Sequence, residues 1–140
     1  MGWLANKFAD FDACVVAARY THDAFIAEPE LVDPEDPLPG LAANCLAGFF
    51  INHGYPIAEE RIFKLCRDYS VDGVILHAMR TCRSFARQQL LISEGLQRKM
   101  NISSTMIEGD MVDESFYQDE SVNTRIEALL ESLDAQKSRG

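Results

Sequence analysis

Apolar residues along this 140-residue chain fall into two kinds of run: short contiguous blocks, and sets spaced three or four apart. Contiguous blocks mark strands buried on both faces, whereas the wider spacing marks one side of a helix. Residues 3–9 read as the end of a helix, and Ala13-Cys14-Val15-Val16-Ala17-Ala18 reads as a first buried strand. Residues 28–39 hold four prolines among acids (Pro29, Pro34, Pro37 and Pro39), which argues against regular structure and predicts a long loop. From Leu41, the set Leu41, Cys45 and Phe49 with Ala42, Leu46 and Phe50 predicts a helix closing near Asn52-His53-Gly54, with Gly54 as its C-cap. Pro56 then suits the first turn of a helix whose buried face is Ala58, Ile62, Leu65, Cys66 and Tyr69.

Asp72-Gly73 interrupts that helix, and Val74-Ile75-Leu76 is a second strand leading straight into His77 to Cys82. A third helix carries Phe85, Gln89, Ile92 and Leu96. After Asn101, Ser103 to Ile107 is a third strand that opens into Glu108-Gly109-Asp110-Met111-Val112-Asp113. The last helix, about 119–136, aligns Val122, Ile126, Leu129, Leu130 and Leu133, and residues 137–140 are a polar tail expected to fray. Strands alternating with helices of this length imply crossover connections and a parallel sheet covered on both faces. The expectation is therefore one α/β domain over residues 1–136, a Rossmann-like three-layer unit with a short parallel sheet flanked by helices.

Bulk composition narrows the function. With 47% hydrophobic and 25% charged residues the chain is an ordinary globular domain with a real core. A net charge of −9, from 13 basic against 22 acidic residues, would repel a nucleic-acid backbone. The longest apolar stretch, Leu38 to Ile51, is too short to span a bilayer and is broken by Gly40, Asn44 and Gly48, so no membrane partner is expected. The first residues carry neither a secretion nor a myristoylation pattern, so the expected compartment is the cytoplasm. No G-x-G-x-x-G or G-x-x-x-x-G-K-[ST] motif follows a strand, which removes a dinucleotide or P-loop site of the usual kind.

Candidate chemistry collects where parallel strands end, because ligands of open sheets sit outside their carboxyl ends. Three segments reach that edge: Arg19 to His22, His77 to Cys82, and Glu108 to Asp113. The four cysteines, Cys14, Cys45, Cys66 and Cys82, form no C-x-x-C pair. Cys14, Cys45 and Cys66 read as core. Cys82 alone stands at a loop-to-helix junction, between Arg80 and Arg83, where a helix N-terminus and guanidinium groups favour the thiolate that binds metal. His77 suits proton transfer near neutral pH or a structural hydrogen bond. Glu108, Asp110 and Asp113 suit either acid/base work or helix capping.

Four segments in order carry a resemblance: Val71-Asp72-Gly73-Val74-Ile75-Leu76-His77, Arg80-Thr81-Cys82-Arg83, Ile107-Glu108-Gly109-Asp110-Met111-Val112-Asp113, and Thr124-Arg125-Ile126-Glu127-Ala128-Leu129-Leu130-Glu131. Together they resemble the C-terminal domain of the 2-hydroxyacyl-CoA dehydratase and benzoyl-CoA reductase family, of the 2-hydroxyglutaryl-CoA dehydratase D-component type. The resemblance implies an oxygen-sensitive enzyme of two homologous subunits, each with a 4Fe-4S cluster held by cysteines from different domains. An ATP-dependent activator protein supplies single electrons, and an acyl-CoA substrate is reduced to a radical anion before dehydration or ring reduction. Cys82 matches the ligand of the C-terminal domain, with His77 and Glu108 as candidate catalytic groups and Arg80 and Thr81 as candidate cofactor contacts. The family's remaining cysteine ligands have no counterpart here, so the cluster would be shared with cysteines absent from this chain. The reading that follows is a domain or fragment of an acyl-CoA reductase or dehydratase subunit. The alternative is a non-catalytic interaction or scaffold module that keeps the fold and binds no cluster.

Overall fold

The computed structural model describes residues 2–18, 32–47, 55–110 and 112–138. The predicted loop Arg19 to His22, the close of the helix at Asn52-His53-Gly54, and the side chains of Cys45 and Phe85 lie outside the described residues.

In chain order the elements are α1 (Gly2–Ala9), α2 (Pro37–Ala47), α3 (Tyr55–Asp68), β1 (Gly73–Met79), α4 (Arg83–Gly95), β2 (Ser103–Gly109) and α5 (Asp119–Lys137). A single π-type turn, Leu96–Met100, continues α4, and a 3-10 turn, Glu114–Phe116, precedes α5. The sheet has two parallel strands in continuous register from Gly73 opposite Ser103 to Met79 opposite Gly109.

Alternation along the strands divides the core into two halves. On one face Leu76, with Val74 and Met106, meets Ala58, Ile62, Phe63 and Cys66 of α3 and Ile92 and Leu96 from α4 and its π turn. On the other face Ile107, with Ile75, meets Phe8 of α1 and Val122 and Ile126 of α5. Helices therefore cover both faces, as expected for the three-layer α/β unit. Ile92, Leu96 and Ile126 are essentially inaccessible to solvent.

Polar contacts tie the layers. Lys7 of α1 donates to Asp119 at the start of α5, 2.7 Å away, and Tyr117 donates to the same carboxylate at 2.6 Å. Between α3 and α4 the buried Glu59 accepts from Tyr55 Oη at 2.6 Å and from Lys99 Nζ at 2.6 Å. Lys99, followed by Tyr55, holds this carboxyl below the usual carboxylate range. The carboxylate lies over Gly95, so close that a Cβ there would stand 2.1 Å from Glu59 Oε1. Asn101 closes the π turn in the left-handed region, at φ 55°, a conformation that asparagine tolerates better than most residues.

Several expectations need correction. Ala13 to Ala18 is irregular rather than a strand, and Cys14, Val15 and Val16 are exposed. An apolar run becomes a strand only when its backbone pairs with a neighbour, and among the described residues β1 and β2 pair only with each other. Cys14 is accordingly not core. Pro37 and Pro39 lie inside α2, in its first turn, where a missing N–H costs no intrahelical bond. Leu41 on that helix is exposed. The buried face of α3 is Ala58, Glu59, Ile62, Phe63 and Cys66, whereas Tyr69 lies beyond the helix end and is exposed. Helix α5 runs to Lys137, and Gln136 donates to Ser103 Oγ at 2.9 Å.

Candidate functional site

Both strands run two or three residues further than their apolar blocks suggested. His77 and Glu108 are consequently strand residues rather than loop residues. In the register His77 faces Ile107 and Ala78 faces Glu108, so His77 and Glu108 point to opposite faces of the sheet. The structure does not bring these two candidates together.

The acid that accompanies His77 is Asp110, the first residue after β2. The ring of His77 lies over Gly109, with Nε2 placed 2.9 Å from where a Cβ of residue 109 would be. Loss of solvent on that side pushes the imidazole below its usual pKa, and the Asp110 charge opposes the shift. A side chain at Gly109 would displace the ring, which is a physical reason for glycine at the end of this strand.

Asp110 also joins the two strand-end loops. Its Oδ2 accepts from Thr81 Oγ1 at 2.5 Å and from the Thr81 N–H at 3.2 Å, while Oδ1 accepts from the Val112 N–H at 3.0 Å. The Thr81 hydroxyl, then the Val112 amide, hold the Asp110 carboxyl below the usual carboxylate range. The Arg80 N–H donates to the Gly109 carbonyl at 3.2 Å, which extends the strand pairing into the loop. Thr81, a candidate cofactor contact, thus commits its hydroxyl proton to Asp110.

Cys82 is the N-cap of α4, in extended backbone at φ −112° and ψ 91°, and is half-buried. Its side chain makes no capping bond, its N–H donates to Met79 O at 3.2 Å, and its carbonyl accepts from the Ala86 N–H at 3.0 Å. Cys66 differs in kind: it is packed inside the α3 face, and burial pushes its thiol up. Arg80 reaches across the sheet end, with its guanidinium 3.5 Å from Glu108 and 5.7 Å from the centroid of the Phe116 ring. Asp113 caps the 3-10 turn by accepting from the Ser115 N–H at 2.9 Å, which gives the capping role to this acid. Among the described residues, no three His, Cys, Asp or Glu side chains converge as a metal-holding group. Cys82 fits as one ligand of a cluster, and the described residues do not complete a set.

A larger hollow of about 730 Å³ lies toward the amino end of β2, lined in part by Ser93, Ser103, Ser104 and Ser132. Its hydroxyls pair with one another, Ser93 with Ser104 at 2.8 Å and Ser103 with Ser132 at 3.2 Å. The candidate groups, by contrast, gather at the carboxyl end.

Comparison with known proteins decides the family. Residues 2–133 match the family model described as 2-hydroxyglutaryl-CoA dehydratase, D-component. The chain belongs to this family. A benzoyl-CoA reductase subunit of Thauera aromatica is 31% identical over 132 residues, covering 94% of this chain and 30% of that protein. The alpha subunit of (R)-2-hydroxyglutaryl-CoA dehydratase from Acidaminococcus fermentans is 27% identical over 75 residues, covering 54% of this chain and 16% of the relative. The chain thus spans less than a third of the length of either curated relative. No solved structure matches. Among the described residues, no helix of this family member is long and apolar enough to cross a membrane.

Proposed function

We propose that this chain is the C-terminal domain of an acyl-CoA reductase or dehydratase subunit, and that Cys82 supplies one ligand of a 4Fe-4S cluster completed by cysteines outside the chain. When bound, such a cluster supplies single electrons for reduction of a CoA thioester. The observation that carries the reading is the position of Cys82: a half-buried cysteine with no capping bond, at a helix start on the carboxyl edge of a parallel sheet.

The neighbouring residues have separate tasks in this reading. Asp110 and Thr81 clamp the loop that bears Cys82, so the sulfur is held by the strand ends rather than by a free loop. His77 holds or releases a proton at Nε2, and its lowered pKa favours the neutral ring at pH 7. Glu108 is an ion-pair partner of Arg80 in this arrangement rather than a companion of His77. The partners are a second homologous subunit, an ATP-dependent activator protein and an acyl-CoA substrate, with the cytoplasm as compartment.

Anaerobic co-production with the homologous subunit, followed by iron and acid-labile sulfide analysis, tests the assignment. Iron is expected in the complex, and Cys82→Ala should remove the share bound by this chain while Cys66→Ala leaves it. Equal iron content in the Cys82→Ala complex overturns the ligand assignment. An iron-free wild-type complex favours instead the scaffold module.

A further inference from the structure

Beside the Cys82 loop lies a second hollow, of about 270 Å³, at the carboxyl end of β2 and against the first turns of α5. Arg80, Arg125, Ser115, Ser121, Gln118 and Phe116 contribute to its wall, together with Glu108 and Val122. The sequence explains how the donors converge. Ser121 and Arg125 are four apart on α5 and share a side of that helix, while Val122 anchors it in the core. Ser115 and Phe116 come from the 3-10 turn, and Arg80 comes from the end of β1.

Charge in this hollow runs against the rest of the molecule. The chain carries 22 acidic and 13 basic residues, yet two guanidinium groups here face one carboxylate. That carboxylate, Glu108, meets Arg80 at 3.5 Å with both side chains about half exposed (53% and 50%), a contact that a stronger anion can displace. Arg125 makes no ion pair among the described residues. Gln118 is the N-cap of α5 but makes no side-chain capping bond, so its amide is available as a donor. Asp119, the acid at the helix start, is engaged by Lys7 and Tyr117.

Two planar guanidinium forks, two hydroxyls and an amide form a donor set suited to a phosphate, whose oxygens arginine meets in pairs. The Phe116 ring beside Arg80 adds an apolar face. That combination matches a ligand in which a phosphate is attached close to an aromatic base. The volume is below the roughly 300–1,000 Å³ of a pocket for a whole drug-sized ligand, which suits the phosphorylated end of a longer molecule.

We propose that this hollow binds the nucleotide phosphate of a coenzyme A thioester. The identity of the ligand rests on the acyl-CoA reading above, whereas the anion chemistry does not depend on any cluster. Arg80 and Arg125 hold the phosphate from two sides, Ser115, Ser121 and Gln118 complete its hydrogen bonds, and Phe116 stacks on the base.

Calorimetric titration of the full chain with acetyl-CoA, inorganic phosphate and adenosine tests this, using wild type, Arg125→Gln and Arg80→Gln. Acetyl-CoA should bind, each substitution should weaken it by about tenfold or more, and adenosine alone should not saturate the site. Urea midpoints control for folding, and Arg125→Gln, which removes no internal ion pair among the described residues, keeps the test decisive if Arg80→Gln unfolds. Failure of acetyl-CoA to bind, or affinity unchanged from wild type in both variants, overturns the proposal. Phosphate binding as tight as acetyl-CoA overturns the coenzyme A assignment and leaves a site for free phosphate. Because these titrations need no iron, their failure is distinguishable from an iron-free complex.

Discussion

Gly95 lies under the carboxylate of Glu59 and Gly109 lies under the imidazole of His77, yet the two places differ in what surrounds the polar group. Glu59 is enclosed between two helices, where Tyr55 and Lys99 satisfy it, and Lys99 also stands 5.7 Å from the Phe63 ring. His77 is exposed at the open end of a strand, with Asp110 as its charged neighbour. The same local device, a missing side chain that lets a polar group approach the backbone, closes a helix junction in one case. In the other it leaves a titratable ring facing the edge where ligands of parallel sheets bind. Enclosure, rather than residue type, separates a structural polar cluster from a candidate functional one.

Substituting alanine at residue 95 is the strongest way to break the comparison. Alanine improves helix propensity by about 1 kcal/mol, but its Cβ would displace Glu59 from partners whose charged hydrogen bonds contribute about 1.5–3 kcal/mol each. The net expectation for Gly95→Ala is a loss of about 2 kcal/mol, read as a lower urea midpoint. An unchanged midpoint would show that the Glu59 cluster relaxes without cost.

A smaller effect on stability, with a clearer chemical signature, is expected from Asp110→Asn. The negative charge near His77 opposes the lowering of its pKa, so removing it should lower that pKa further in an NMR titration. The Thr81 amide should also exchange faster, because one of its bonds is weakened. A folded-state imidazole pKa below the unfolded value contributes stability that is complete above about pH 6.5 and is lost as pH falls through the folded pKa. The variant should extend that loss to lower pH. An upward shift of the His77 titration would sink the assignment of Asp110 as its neighbour.

The smallest change in stability belongs to Gly109→Ala. Only the far end of an exposed side chain blocks the new methyl group, so the midpoint should stay within about 0.5 kcal/mol of wild type. The His77 ring resonances should nevertheless move. A loss as large as that at Gly95 would place Gly109 in the core machinery instead.

Residues whose environment is set by near neighbours were readable in advance. The period along α5 predicts a face of Val122, Ile126, Leu129, Leu130 and Leu133, of which the first three are buried and the last two half-buried, and the helix begins at Asp119 as its pattern indicates. Cys82 was placed at a helix start by the change from contiguous to spaced apolar residues, and it is the N-cap of α4. Residues joined across long stretches of chain were not readable. The Thr81–Asp110 tie spans 29 positions, and no local pattern distinguishes Asp110 from Glu108 or Asp113 as the acid beside His77. Arg80 and Arg125 lie far apart in sequence, and only the fold brings both to the wall of one hollow. Strand length failed for a related reason: His77 and Glu108 are polar, and only pairing with the neighbouring strand extends the ladder through them. The opposite error at Ala13 to Ala18 has the same origin, since apolar character without an adjacent strand does not make a ladder.

The unbroken register between β1 and β2 also makes the link between them intolerant of small changes in length. One residue fewer after Asn101, absorbed by sliding β2, would put the Glu108 carboxylate where Ile107 meets Ile126 and turn Ile107 toward α3 and α4. Homologous chains should therefore vary this connection in ways that preserve strand parity, or compensate an odd change with a bulge.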